Sequence, residues 1–537
     1  MVKNVWMKSP HMDNFNCLGE VILLKPVKRT ILCFVIMIMI LVSTGCGGRS
    51  ATNFKGDAGK IRVMLFDRGS IPSGEGTLTD NRWINFLKEE AKNQGIEVEY
   101  IPVPRNQSTE KVITMMGANN APDIFYLYER EFFLKFASLG GLLDYSDLLE
   151  TYGENVLKLY EGKDILKYGK VDGRQYGIPS IRQDRKHYGA FIRKDWLDIL
   201  DIEPPTDKES LVTVLKAFRD EDPGNVGDKL IPMQIPFDST AFTDANRTTD
   251  LMRSFLSTSI EEEKTMLPVF RPGFKEYMAY LNKLYREDLI HKEFPTFSYA
   301  KNREQVMQGI VGFFNDNATL VGTEGFYGTL KKNVPTAELL PLEVYDHDDG
   351  SYYKLEHPPF GFYLMTPKSS KSPESVVKYI DLLCREDIAW KLSFGIEGEH
   401  YTLDDYGAPI PIDFEYNSKT LDYTGEDLRL IARPEMMLNA DAKRSLDESK
   451  AEMDPYREFN KMVDELGKRD AVQPFVQLTE IKTISRYMPQ LIKLSDQYWV
   501  KLITAEDFDS MYEEFIVQLN KNGADKIIEE MKDLGGK

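Results

Sequence analysis

Three short apolar stretches separated by helical spacing constrain the fold of this chain more than any other feature. Lys60–Phe66 (KIRVMLF), Ile96–Val103 (IEVEYIPV) and Asp123–Tyr128 (DIFYLY) have the composition and length of strands, and the second alternates strictly. Between the first two, Asn81–Asn93 places Trp83, Phe86 and Leu87 at helical intervals. After the second, Ser108 stands where a helix N-cap belongs, with Lys111 in place of the Glu that would complete a capping box. Strands alternating with helices predict an open α/β sheet.

The alternation resumes further along. Tyr176–Pro179 (YGIP) closes the first unit, and His187–Ile192 reads as a strand leading into helical Lys194–Leu200. Pro204-Pro205-Thr206 supplies a loop and N-cap for a helix running to Phe218, and Phe274–Glu287 is amphipathic. Gly309–Phe314 and Phe360–Met365 read as strands. Ser372–Leu392 reads as one long helix with Pro373 in its first turn, where a missing N–H costs nothing, and Thr479–Leu534 is helical almost throughout.

Ahead of this ordered part lies a leader. Lys25, Lys28 and Arg29 precede the uncharged run Ile31–Val42, which is shorter than the roughly 20 residues a membrane-spanning helix needs. Leu41-Val42-Ser43-Thr44-Gly45-Cys46 then places small residues before one cysteine, the pattern of an export signal over residues 1–45 that ends in a lipid-carrying Cys46. Residues 46–59 form a short polar tether. Removing residues 1–45 leaves 492 of 537, too many for one core, so two lobes are expected. The leader holds five basic and two acidic residues, so its loss takes the net charge from −18 to −21. Such a chain repels nucleic acid and anionic membrane. Cys17 and Cys33 leave with the leader and Cys46 takes the lipid; Cys384 alone remains, a core thiol without a disulfide partner.

Signals for catalysis are weak. No GxSxG, GxxxxGK[ST] or GxGxxG appears, and none of the six histidines forms the i, i+4 pair of a helix-borne zinc site. With Asp and Glu so abundant, any glycosidase-like pair reads first as solvated surface. Asp220–Asp228 (DEDPGNVGD) has oxygen ligands at short spacing but lacks the sixth-position Gly and terminal Glu of a calcium-binding hand loop, and it reads as a polar turn. No catalytic group, metal or cofactor is expected.

The stretch from Asp172 to Thr206, DGRQYGIPSIRQDRKHYGAFIRKDWLDILDIEPPT, resembles the extracellular solute-binding proteins of family 1, in particular the larger LplA-like lipoproteins. DG-x-x-YGIP, RKDWL and P-x-T-type elements carry the resemblance, with Arg174 for the usual Lys. Ala121-Pro122-Asp123, Leu281–Ile290 (LNKLYREDLI), Gly395–Tyr401 (GIEGEHY) and Gly523–Lys526 extend it over essentially all of 58–537. The resemblance implies a type II, two-lobed α/β fold of the periplasmic-binding-protein kind, closing on a ligand at hinge crossovers. Residues 60–180 with about 364–465 would form one lobe, and 181–363 with about 466–537 the other. It further implies a monomeric, non-enzymatic receptor, lipid-anchored on the outer face of the cell membrane, that delivers an oligosaccharide to the permease of an ABC importer. A receptor for peptide or another organic solute, and a lipoprotein glycoside hydrolase, are the alternatives.

In open α/β sheets the pocket lies beyond the carboxyl ends of the strands. That rule selects Asp67 and Arg68 after the first strand and Tyr126 and Tyr128 at the end of the third. Tyr126, Tyr128, and the Phe314, Asn315 and Asp316 that follow a later strand match places where related receptors contact sugar. Arg182, Asp184 and Arg185 are polar groups in the segment that should cross between lobes. Arginines there favour a uronate-bearing oligosaccharide, because a guanidinium pairs bidentately with a carboxylate.

Overall fold

Eleven of the fifteen strands among the described residues carry the architecture: β1 (Lys60–Asp67), β2 (Glu97–Pro104), β3 (Phe125–Leu127), β4 (Ile178–Ile181), β5 (Tyr188–Arg193), β6 (Ile231–Gln234), β7 (Val311–Asn317), β8 (Leu339–Leu342), β9 (Lys354–Leu355), β10 (Phe360–Met365) and β11 (Ala471–Val472). The computed structural model describes residues 59–535 except 70, 183–187, 236–247, 344–353 and 424. Cys46 and the leader lie outside the described residues, as do Asp184 and Arg185.

Two short sheets, β2-β1 and β3-β10-β4, lie edge to edge and together make up the first sheet. β1 and β2 are parallel, Lys60 facing Glu97 and Asp67 facing Pro104. A parallel bridge from Val63 to Ile124 joins β1 to the start of β3, and β10 lies antiparallel between β3 and β4. Ile124–Leu127 is buried on both faces, so its side chains do not alternate. The helix Arg82–Asn93 covers this sheet through Trp83, Ile84 and Leu87. Asn81 caps it, its side-chain Oδ1 accepting from the amides of Trp83 (3.1 Å) and Ile84 (3.0 Å), a cap worth ~1 kcal/mol.

The second sheet has the order β8-β5-β7-β6, antiparallel except for the β6–β7 pair. The RKDWL element is explained here. Arg193 is buried, forks onto Asp195 at 2.8 and 2.6 Å, donates to the Gly309 carbonyl at 2.7 Å and lies 4.7 Å from the Trp196 ring centre. Trp196 in turn meets Phe218 edge-on at 5.2 Å. Further out in this half, Glu263 is buried between Arg253 and Arg271.

The chain leaves the first sheet after β4 and enters the second at β5; after β8 it returns to the first at β10. β9 and β11 pair in parallel on the way, the Lys354 amide donating to the Asp470 carbonyl and the Glu356 amide to that of Val472. Phe459 and Val463, on the amphipathic helix Arg457–Lys468, pack with Phe191 and Phe314 of the second sheet.

Three local expectations change. The helix expected over Ser372–Leu392 is two, Pro373–Cys384 and Glu386–Phe394, because Arg385 turns extended (φ −59°, ψ 137°) and pairs with Asp387. Ser108 lies inside its helix, its hydroxyl donating to the Arg105 carbonyl instead of capping. Asp207, not Thr206, caps Lys208–Glu221, in a reciprocal box with Ser210. In the Asp220–Asp228 segment the Asp222 carboxylate accepts from the amides of Val226 (3.0 Å) and Gly227 (2.8 Å), the bonding of a turn.

Candidate functional site

At one edge of the first sheet the carboxyl ends of β1, β3 and β4 meet the beginning of antiparallel β10. Arg68, Tyr128, Arg182 and Gly361 therefore converge on a cavity of ≈ 350 Å³. Ser180, Ile181 and Phe362 complete the strand side. The opposite wall comes from the Gly425–Arg429 helix and the turn after it, which contribute Asp427, Arg429, Arg433 and Glu435.

Glycine is required at 361. A Cβ there would stand 2.9 Å from the Ser180 hydroxyl and 3.7 Å from both Arg182 and Tyr128, filling the floor. The Ser180 hydroxyl accepts from the Phe362 amide at 3.0 Å, which fixes the register of β10 against β4 at that point. Tyr128 is 37% exposed and meets Phe362 edge-on at 5.8 Å. Arg105 lies between the Tyr128 and Phe66 rings, its guanidinium carbon 4.6 and 4.7 Å from their centres, so the Tyr128 ring is backed by a cation.

Charge in this wall runs against the acidic whole. Four arginines face two carboxylates among the lining residues. Arg68 forks onto Asp427 through Nε (2.7 Å) and Nη2 (2.9 Å), and that hydrogen-bonded pairing holds the guanidinium above its already high pKa. Arg429 bonds Glu435 at 3.2 Å and the Ser393 hydroxyl at 2.6 Å. Arg433 donates to the carbonyls of Ile181 (3.2 Å) and Ala432 (2.8 Å), tying the turn to the end of β4.

Of the expected site residues that are described, Arg68, Tyr128 and Arg182 come together here, and the rest lie elsewhere. Tyr126 is fully buried behind the wall, its hydroxyl accepting from the Phe66 amide at 3.3 Å, and burial pushes its phenol well up. Asp67 is the last residue of β1, and its carboxylate accepts from the Gly69 amide at 3.0 Å. Phe314 is a core side chain stacked between Phe191 (5.4 Å) and Phe326 (6.0 Å). Asn315 and Asp316 are buried in the second sheet, Asp316 forking onto Arg303 at 2.9 and 2.8 Å. Asp427, Arg429, Arg433 and Glu435 have no motif in the sequence; Asp427 lies 359 residues from its partner Arg68. Among the described residues no group of three or more His, Cys, Asp or Glu is placed to hold a metal ion.

The family profile described as "Bacterial extracellular solute-binding protein" matches residues 76–388. The chain belongs to that family. Among similar solute-binding proteins and relatives is lipoprotein LipO of Bacillus subtilis, 25% identical over 470 residues, 84% of this chain and 86% of its own. Another is the polygalacturonan/rhamnogalacturonan-binding protein YtcQ of the same organism, 24% identical over 397 residues, 70% of this chain and 74% of its own. The solved alginate-binding protein AlgQ2 superposes with a TM-score of 0.65 at 18% identity, over 90% of this chain and 99% of its own. The substrate-binding protein FusA of S. pneumoniae, solved with kestose, gives 0.61 at 16% identity, over 89% and 98%. This solute-binding protein thus has the expected type II fold of mixed α/β lobes.

Proposed function

We propose that this solute-binding protein captures a uronate-bearing oligosaccharide and delivers it to the permease of an ABC importer, without chemistry of its own. The observation that carries the reading is the Arg68, Arg182, Arg429 and Arg433 group around the half-exposed Tyr128 ring, in a chain of net charge −18. Guanidinium groups match carboxylates in pairs of parallel hydrogen bonds, and an aromatic face suits the C–H face of a sugar ring. YtcQ, a polygalacturonan/rhamnogalacturonan-binding protein, and AlgQ2, an alginate-binding protein, support the same class. The site stands beside the β4–β5 crossover, so hinge motion there would bring the second sheet's lobe over the ligand.

Calorimetry with trigalacturonate and its fully methyl-esterified, neutral counterpart tests the ligand class, and chromatography of the recovered sugar tests for chemistry. Binding at least tenfold tighter for the acid, with the sugar intact, is expected; equal affinities sink the uronate reading, and shortened products sink the receptor. Lipid attachment at Cys46 would keep the receptor near its permease, raising their effective concentration. Cys46→Ser should then release the protein to the medium with unchanged affinity, and retention at the membrane would count against the anchor.

A further inference from the structure

Of the pocket's ion pairs, Arg68–Asp427 has a geometry that suits it to more than holding the wall together. Nε and Nη2 of Arg68 meet Oδ2 and Oδ1 of Asp427 at 2.7 and 2.9 Å, the two parallel bonds by which a guanidinium edge receives any carboxylate. One edge accepts one carboxylate at a time. Both side chains line the cavity, and Arg68 retains 38% of its side-chain exposure against 13% for Asp427, so the cation is the member open to an incoming ligand. The Phe66 ring lies 5.3 Å from the guanidinium carbon, restricting rotation of its plane.

Asp427 reaches this edge from a five-residue helix on the other wall, Gly425–Arg429, and not from the strand that carries Arg68. The neighbouring pair is different. Arg429 is 13% exposed, bonds the Ser393 hydroxyl as well as Glu435, and so fastens its turn to the helix beneath it.

Resting on the acidic-sugar reading above, we propose that Asp427 is an internal competitor for the Arg68 edge: a sugar carboxylate must displace it, and it thereby sets the pocket's affinity for acidic ligands. The competition tunes selectivity. A single weak carboxylate gains little by exchanging one carboxylate for another, whereas an oligomer that also engages the other arginines and Tyr128 recovers the difference elsewhere. The fraction of protein with the Arg68 edge available scales the apparent affinity for every acidic ligand and leaves neutral sugars untouched.

The experiment measures trigalacturonate and its neutral methyl ester by calorimetry on wild type, Asp427→Asn and Asp427→Ala, all at one ionic strength. Both variants should bind the acid about fivefold tighter (~1 kcal/mol), the scale of a partly exposed ion pair, and the ester within twofold of wild type. Unchanged or weaker binding of the acid overturns the proposal, as does a parallel change for both sugars, which marks Asp427 as a direct sugar contact. If neither variant folds, the pair is structural and the proposal falls. The two readings fail separately. A wild type that does not prefer acid over ester refutes the uronate reading, and variants that then acquire the preference still support Asp427 as competitor. Variants that also lack it refute both.

Discussion

Glu263→Gln should be among the most damaging conservative substitutions in the protein, although it lies away from the cavity. The Glu263 side chain is 4% exposed and sits between Arg253 and Arg271, themselves 2% and 5% exposed. Arg253 donates to it at 3.1 and 2.7 Å, Arg271 approaches to 3.2 Å, and the Thr258 hydroxyl donates at 3.1 Å. Glutamine preserves size and most contacts but removes the charge between two buried cations. Breaking a buried pair in this way costs ~3–5 kcal/mol, a large share of the ~5–15 kcal/mol that holds a typical domain folded. In urea, with a slope of ~3 kcal/mol per molar, the unfolding midpoint should drop by about 1–1.7 M, while sugar affinity measured below the transition stays at the wild-type value. A shift below ~0.3 M would refute the reasoning, because the charge would then be compensated by relaxation or water. Replacing all three groups with Met should recover most of the loss, since no buried charge is then left uncompensated.

The remaining predictions concern the pocket wall, a tight turn and a buried acid. Tyr128→Ala should weaken acidic and neutral sugars alike by about 3–10-fold (~0.5–1.5 kcal/mol), whereas Tyr126→Phe should cost roughly 1 kcal/mol of stability and leave calorimetric affinity unchanged. Gly395 has φ +82° and a Cβ there would stand 2.5 Å from Cγ of His400, so Gly395→Ala should destabilise by at least ~2 kcal/mol in denaturant unfolding. Burial pushes Asp250 up to about 7 from 3.8, against the pull of Lys354 and Arg253 and with the push of Glu343. Between those values the native state keeps a proton that the unfolded chain has shed, so this group's contribution to stability falls as pH rises from about 4 to about 7, by up to ~4 kcal/mol. Asp250→Asn should remove that slope from a plot of unfolding midpoint against pH, and a retained slope would assign it to another group.

Elements with a strong local pattern were legible, whereas the short strands Ile231–Gln234, Leu339–Leu342, Lys354–Leu355 and Ala471–Val472 were not foreseen. Lys194–Leu200 and Phe360–Met365 match the sequence expectation residue for residue. Boundaries set by one residue were not: nothing in the apolar periodicity of Ser372–Leu392 marks the extended Arg385. The strand-end rule led to Arg68 and Tyr128, since it depends only on where a strand stops, and Arg182 came from the segment expected to cross between lobes. It could not separate Tyr126 from Tyr128, because in a strand buried on both faces every residue is apolar and the difference lies only in which ring passes the strand's last residue, Leu127. It also could not reach Phe314, whose burial depends on helix Arg457–Lys468 supplying Phe459 to its cluster. The facing wall was invisible for a different reason: Asp427 and Arg433 gain their meaning only from β1 and β4, hundreds of residues earlier, and no local spacing encodes that meeting.

That distance orders events during synthesis. A growing chain can complete β2, β1 and β3 early, but β10 joins them only after residue 365, and Asp427 meets Arg68 later still. Until the chain has passed Glu435, the Arg68 guanidinium has a sheet behind it and no wall in front. Sugar therefore cannot template the early sheet through both walls of the pocket; it can select only a chain whose two halves have already been threaded together. A fragment stopping short of Gly425 would carry every strand of both main sheets and Tyr128 but lack Asp427, Arg429, Arg433 and Glu435, the whole facing wall of the cavity.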